Sequence, residues 1–372
     1  MKGKGLYILF LIIAHFQTNG QQSGLSGLEL NYHFGKMIKH TEKITFDPPK
    51  ATNAIDAKLI FQTNGKKHWH HAHGLPEYGI NLIHFNLGNE DLLGKATGIF
   101  PFINLKIFDN NKLAWIFTVG SGIAYFTKPY DVLENPLNNA IGSKFNNITA
   151  LRTSLRLKIL KQTYLNVGGA FTHFSNGISK SPNFGFNVAS ANIGLHYKLH
   201  ESGNRKVLEK GARQAINRKK VGYEVSVGYA SKEVGTPGGP KYLVKIANLG
   251  LSYRIANVNK ILLELAYEFH AATYHFGLQV YAFENEQQAR QGATRLAIVL
   301  GEEFVFGNIA INGKVGFYIS PNSYDLPRKY YVKVGSRYSV PIWKEKEIFL
   351  AIYLKSHLQV AEYISLETGF RF

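Results

Sequence analysis

His173 and Ser175 stand two positions apart in the run Thr172-His173-Phe174-Ser175-Asn176-Gly177, and Pro182-Asn183-Phe184-Gly185-Phe186-Asn187 follows shortly after. On a β-strand, residues two apart share a face, so the imidazole of His173 can reach the hydroxyl of Ser175 and act as its base. A nucleophile beside its base is half of a hydrolase. The preceding residues indicate which way the pair points: Leu165, Val167, Gly169 and Phe171 share its parity, while Tyr164, Asn166, Thr172 and Asn176 lie opposite. The two groups therefore continue an apolar face.

The elements that must position them read as strands of a membrane barrel. Lys2 and Lys4 precede the apolar run Leu6 to Phe16, and Thr18-Asn19-Gly20 then leads into Gln21, the pattern of a secretory signal over residues 1–20. No later stretch approaches the roughly 18 apolar residues of a spanning helix. The absence of cysteine excludes disulfides. From about residue 27 onward, segments alternate apolar and polar residues and are separated by turn residues, the pattern of an outer-membrane β-barrel. Ile309, Ile311, Val315, Phe317 and Ile319 occupy one parity, and Tyr330, Val332, Val334, Tyr338 and Val340 alternate with Lys333, Arg337 and Ser339. The chain ends Ile364, Leu366, Thr368, Phe370, Phe372 on one parity, and a terminal phenylalanine on such a strand is similar to the carboxy-terminal signal of bacterial outer-membrane proteins.

The fold expected is an all-β, transmembrane antiparallel β-barrel over residues 21–372 with about 16 strands, in a range of about 12 to 16. Short turns at Asp109–Lys112, Lys161–Thr163, Asn257–Lys260, Gly307-Asn308 and Trp343–Glu347 fall at alternate connections and would be periplasmic. Two long connections break that rule, Gly65–Tyr78 and the basic segment Glu201–Lys220. One continuous barrel is expected across the midpoint, because two barrels must each close their own edges.

The residues His173-Phe174-Ser175-Asn176, then Pro182-Asn183 and a descending strand whose odd positions Ala189, Ala191, Ile193, Leu195, Tyr197 and Leu199 are apolar, resemble the lipid A 3-O-deacylase family, outer-membrane acyloxyacyl hydrolases of the PagL type. The resemblance covers about residues 24–200 and leaves 221–372 as additional strands. Family members are eight-stranded barrels with the motif on the penultimate strand. The resemblance implies Ser175 as nucleophile, His173 as general base, and Asn176 with nearby backbone amides as the oxyanion site. Gly120-Ser121-Gly122 and Asn138 to Ser143 also look like segments of this family. The chain departs from the pattern at two places. Asn187 stands where the family has the glutamate that orients the histidine, and Ile178 stands where it has a glycine. A carboxamide can hold the imidazole tautomer but cannot stabilise the imidazolium by charge.

In the expected orientation, His173, Ser175 and Asn187 face lipid at the outer leaflet, at the depth of the acyl esters of lipopolysaccharide. Unpaired polar groups facing hydrocarbon cost roughly a few kcal/mol, so a purely structural barrel has little reason to keep them there. The formal charge of +18 suits the phosphates of lipid A as partner. It does not indicate nucleic acid, because the basic residues are spread through strands and loops and the chain is read as exported. The function expected is an outer-membrane ester hydrolase removing an acyl chain from lipid A, with no cofactor. The alternative is a noncatalytic barrel, channel or structural, in which Lys and Arg line the lumen. His68-Trp69-His70-His71-Ala72-His73 could offer imidazoles to a transition metal but is expected to be a solvated or interfacial segment in an exposed turn. Lys355, His357 and Glu362 cluster at the last outer hairpin, with Lys355 and His357 on the lumen parity.

Overall fold

Alternation of apolar and polar residues gives every strand one face for lipid and one for the interior, and the charges on the inner faces decide how the strands close. The computed structural model describes residues 24–372 except 111, 200–219, 235–236, 321–323, 325, 327, 344–345 and 359; the expected signal segment 1–20 and nearly all of the basic midpoint segment lie outside the described residues. Eight strands come first: β1 (Leu25–Met37), β2 (Thr52–Gln62), β3 (Glu77–Asn86), β4 (Lys95–Asp109), β5 (Leu113–Phe126), β6 (Phe145–Lys158), β7 (Thr163–Ser175) and β8 (Phe186–Lys198). Eight more follow: β9 (Val221–Glu233), β10 (Lys241–Ala256), β11 (Asn259–His270), β12 (Thr294–Phe306), β13 (Ile309–Tyr318), β14 (Tyr330–Trp343), β15 (Lys346–His357) and β16 (Val360–Arg371). Three short helices lie in the connections: α1 (His68–Ala72), α2 (Ala271–Gln279) and α3 (Glu286–Ala293).

The strand number agrees with the sequence expectation, but the single continuous barrel does not. β8 turns back on β1, with Leu30 opposite Leu195 and Phe34 opposite Ala191. β16 pairs with β9, with Ser365 opposite Ala230. Two closed eight-stranded barrels result. The edge argument for one barrel fails because each set of eight, once closed, leaves no more free edge than a set of sixteen. At the first seam the backbones approach closely: a Cβ on Gly35 would lie 2.4 Å from the carbonyl oxygen of Ala189.

Inward charge explains closure at eight. In the first barrel, Arg156 on β6 reaches Glu77 on β3 (3.0 Å) and Glu29 on β1 (3.0 Å), Lys58 pairs with Glu29 (2.7 Å), and Arg152 pairs with Asp56. In the second, Arg337 and Arg371 bridge Glu224 and Glu303 at 2.6–3.0 Å, and Lys355 joins Glu268 (2.6 Å) to Glu362 (3.2 Å). An eight-stranded interior is just wide enough for side chains from opposite walls to meet; a sixteen-stranded lumen would separate them. In the narrow interior the charges compensate one another, a task that water would take over in a wider lumen. Lys355 and His357 face the interior, as their parity indicated. The other half of the first interior is apolar, with Phe85, Phe100, Phe126, Ile148, Phe174 and Phe186 packed together.

The barrels touch at both ends. At the short-turn end, the His68–His73 run is neither solvated nor a loop but helix α1, and it packs on the second barrel. His73 stacks on Phe306 (4.2 Å between ring centroids) and its Nε2 donates to the carbonyl of Val305 at 2.9 Å. Trp69 lies edge-on to Phe306 (6.4 Å), and Asn257 Nδ2 donates to His68 Nε2 (3.0 Å). His71 Nε2 bonds the carbonyl of Gly65, and the amide of Lys67 donates to His70 Nδ1. His68 and His73 serve this docking while His70 and His71 brace the helix itself, and no trio of His, Asp or Glu among the described residues is arranged to hold a metal ion.

Two outcomes follow. Arg337→Ala would leave Glu224 and Glu303 short of a buried cation and should lower unfolding stability by on the order of 3–5 kcal/mol, read as a shifted urea midpoint of the refolded protein in detergent. An unchanged midpoint would mean that the interior pairs do not hold the second barrel closed. Burial pushes His73 below its ordinary 6.5, and burial with the nearby Lys67 and His71 pushes His70 down to about 4. Between those values the unfolded chain binds more protons than the folded one, so stability should fall as pH drops from about 6.5 toward 4. Substituting both by Gln should flatten that slope, measured as the urea midpoint against pH.

Candidate functional site

The site is set by one inward residue. Phe174 is fully buried in the apolar half of the first barrel, edge-on to Phe85 at 5.4 Å and to Phe126 at 5.1 Å. Because neighbours on a strand alternate, anchoring Phe174 inside sends His173 and Ser175 to the outside of β7. The outward parity read from the sequence therefore holds. Val167 and Phe171 are exposed on the same row, and Asn166 and Thr172 are buried on the inner one.

β8 supplies the partner. His173 lies directly opposite Asn187, and the two share a hydrogen bond of 2.6 Å between Nδ1 and Oδ1. Asn187 Nδ2 donates in turn to Nδ1 of His40 at 2.9 Å. His40 sits three residues beyond the end of β1, beside β8, where the amide of Ile38 also donates to the carbonyl of Asn187 (2.9 Å). With its amide nitrogen committed to His40, Asn187 presents oxygen to His173, which fixes the Nδ1–H tautomer and leaves Nε2 as the basic nitrogen.

Ser175 does not meet His173 as the spacing implied. Among the described residues no hydrogen bond joins them. Ser175 Oγ instead accepts from Asn183 Nδ2 (2.8 Å) and from the backbone N–H of Gly177 (3.2 Å). The reason is the loop after β7, which folds back over the strand end: Asn176 N–H donates to Asn183 Oδ1 (3.0 Å), so one amide side chain bridges both neighbours of the turn. Rotation about the Ser175 Cα–Cβ bond would carry Oγ from these donors toward the imidazole, since both residues lie on the same side of the strand.

Two further expectations are corrected. Asn176, read as an oxyanion donor, spends its side-chain N–H groups on Ser143 Oγ (3.0 Å) and the carbonyl of Lys180 (2.9 Å). It ties the Asn138–Ser143 segment to the site, and the donors aimed at Ser175 are Gly177 and Asn183. The outward groups are also largely covered, with His173 half-buried. Exposure along the row falls from 39 % at Phe171 to 4 % at Ser175, and Asn187 is buried as well. The returning loop lies over them: Asn183 bonds Ser175, and a Cβ on Gly185 would lie 3.0 Å from Cε1 of His173. Sequence reasoning missed His40 and Asn183. Asn183 was visible in the motif but its spacing carries no parity signal, and His40 lies past the last alternating residue of β1, so only barrel closure brings it near.

Residues 54–196 match the family model described as lipid A 3-O-deacylase (PagL), and residues 221–372 match the one described as acyloxyacyl hydrolase, C-terminal domain. The boundary between the matches coincides with the boundary between the barrels, and the family resemblance drawn from the motif is borne out. Comparison with curated proteins gives no match. Among solved structures, a mutant porin of Rhodopseudomonas blastica is similar over 93% of this chain and 98% of its own at 10% identity and a TM-score of 0.20. The outer membrane protein Omp33 of Acinetobacter baumannii is similar over 94% and 99% at 6% identity and a TM-score of 0.16.

Proposed function

We propose that this chain, which carries the lipid A 3-O-deacylase (PagL) model on its first barrel and the acyloxyacyl hydrolase C-terminal model on its second, is an outer-membrane lipid A deacylase that removes an acyl chain by serine ester hydrolysis. The barrel fold and the family both support the outer membrane as its place, and the family supports lipopolysaccharide as its substrate. The observation that carries the reading is the constellation on the outside of β7 and β8: a serine with two N–H donors on its oxygen, and a histidine two residues earlier whose tautomer is fixed by Asn187.

The chemistry runs as acyl transfer. Ser175 Oγ turns to His173, gives its proton to Nε2 and attacks the carbonyl carbon of the ester. The negative charge that develops on the carbonyl oxygen is met by Gly177 N–H and Asn183 Nδ2–H, which the rotation of Oγ releases; one such donor is worth on the order of 3 kcal/mol in a preorganised site. The sugar oxygen leaves with the proton from Nε2, and an acyl-serine remains. Water then repeats the sequence: it loses a proton to Nε2, adds to the acyl carbon, and frees the fatty acid as Ser175 recovers its proton. Asn187 steadies the imidazolium by a dipole alone, so the rate should lie below that of a site with a carboxylate there.

The second reading is a noncatalytic barrel, favoured by the missing carboxylate and by the orientation of Ser175 away from His173. Ion pairs and, in one half of the first barrel, packed apolar side chains occupy the interiors, which favours a structural barrel over a channel for this rival. Mass spectrometry of lipid A incubated with the purified protein separates the two. Ser175→Ala and His173→Ala should each abolish deacylation with the barrel still folded, and Asn183→Ala should lower kcat by about 100-fold. Asn187→Glu should raise kcat by roughly tenfold, because the introduced carboxylate stabilises the charge on the imidazole. Equal activity in Ser175→Ala would dismiss the nucleophile. Inactivity of both wild type and Asn187→Glu toward every acyl ester would establish the noncatalytic barrel.

A further inference from the structure

We propose that the second barrel is a working part of the deacylase site, and that through Glu233 it holds the loop presenting the N–H donors to Ser175. The inference rests on the reading of Ser175 as nucleophile and gives the second barrel a role within it.

The starting observation is a carboxylate on the wrong row. Val221, Tyr223, Val225, Val227 and Tyr229 form the outward face of β9 and are exposed. Glu233 continues that row at the long-loop end, yet it is 4 % exposed where Tyr229 is 55 %. An acid on the lipid-facing parity needs a polar cover. The cover is the loop after β7 of the first barrel: the Glu233 N–H donates to the carbonyl of Ile178 at 3.2 Å, and Glu233 Oε2 accepts from the N–H of Ser181. One residue thus grips the loop on both sides of Ser179 and Lys180.

What it grips is a strained turn. Gly177 and Ile178 both lie in the left-handed region, at φ +60° and +59°. Glycine adopts that conformation freely, whereas a β-branched residue rarely does and needs outside support. The two left-handed residues bend the chain back immediately after Ser175 and aim the Gly177 N–H at Oγ. Ile178 is also the position where the family pattern has glycine, so the support falls on the residue that departs from it. The second barrel reaches Gly177 directly as well. A Cβ there would lie 2.4 Å from Cγ1 of Ile364, an outward residue of β16. Meanwhile α1 joins the barrels at their opposite ends through His73 and Val305, so the contact at Glu233 holds the long-loop end as α1 holds the short-turn end. Glu233 touches neither Ser175 nor His173 and is a positioning residue.

The test uses the full chain in detergent with lipopolysaccharide as substrate. Glu233→Ala should reduce kcat by about tenfold with KM nearly unchanged, since the donors act on the transition state rather than on binding. Glu233→Gln keeps an acceptor oxygen for Ser181 and should retain most of the rate. Hydrogen exchange supplies a readout that needs no activity: amides of 177–181 should exchange about tenfold faster in Glu233→Ala, while those of 165–172 in β7 stay protected and report an intact barrel. Unchanged exchange over 177–181 would overturn the proposal, as would faster exchange with kcat unaltered in an active enzyme. If wild type does not deacylate yet exchange over 177–181 still rises in Glu233→Ala, the clamp stands and the deacylase reading falls.

Discussion

Arg156 meeting Glu29 and Glu77 across the first interior is the contact on which the remaining geometry depends. In an interior with little room for water, charges on facing walls compensate one another by direct contact, and eight strands bring them that close where sixteen would leave a water-filled lumen. Closure at eight puts β1 beside β8. That places His40 against Asn187, which turns the amide oxygen toward His173 Nδ1 and leaves Nε2 unprotonated. Closure also frees the second set of strands to form its own barrel, and that barrel is then available to lie against the loop behind Ser175. An interior ion pair on β6 therefore acts on the outer surface through the order in which strands become neighbours.

The site substitutes dipoles for charge. Where the family pattern has a carboxylate, Asn187 is held by a second imidazole, and the histidine receives orientation without a countercharge. Around Ser175 the donors are one backbone N–H and one side-chain amide, and Asn183 supplies the amide while also fixing the Asn176 N–H. Such an arrangement depends on how firmly each amide is held. Ser143, Lys180 and the loop from 176 to 185 bear on it, so the outer loops and not the strands alone set the geometry around Ser175.

Local alternation was fully legible in the sequence. It gave the number of strands, the outward row of Val167, Phe171, His173 and Ser175, and the inward direction of Lys355. It could not give lateral neighbours, because side-chain parity is the same whether β8 pairs with β9 or with β1. What decides that choice is pairing between acids and bases more than a hundred residues apart, such as Glu29 with Arg156, and no local pattern reports it. His40 was hidden for the same reason. The His68–His73 run was misread because exposure was inferred from a connection judged in isolation, and the surface that covers it belongs to residues 257 and 305–307.

The seam between β1 and β8 has a consequence for how the chain matures. Each closing contact spans half of the sequence, so each barrel searches a shorter loop than a single sixteen-stranded sheet would. Ser175, His173 and Asn187 all lie on strands of the first barrel, which needs no strand of the second half to close. Closed alone, it leaves the turn at Gly177-Ile178 unsupported. A chain arrested at its midpoint would thus be a closed barrel whose loop behind Ser175 lacks the contacts that β9 and β16 supply.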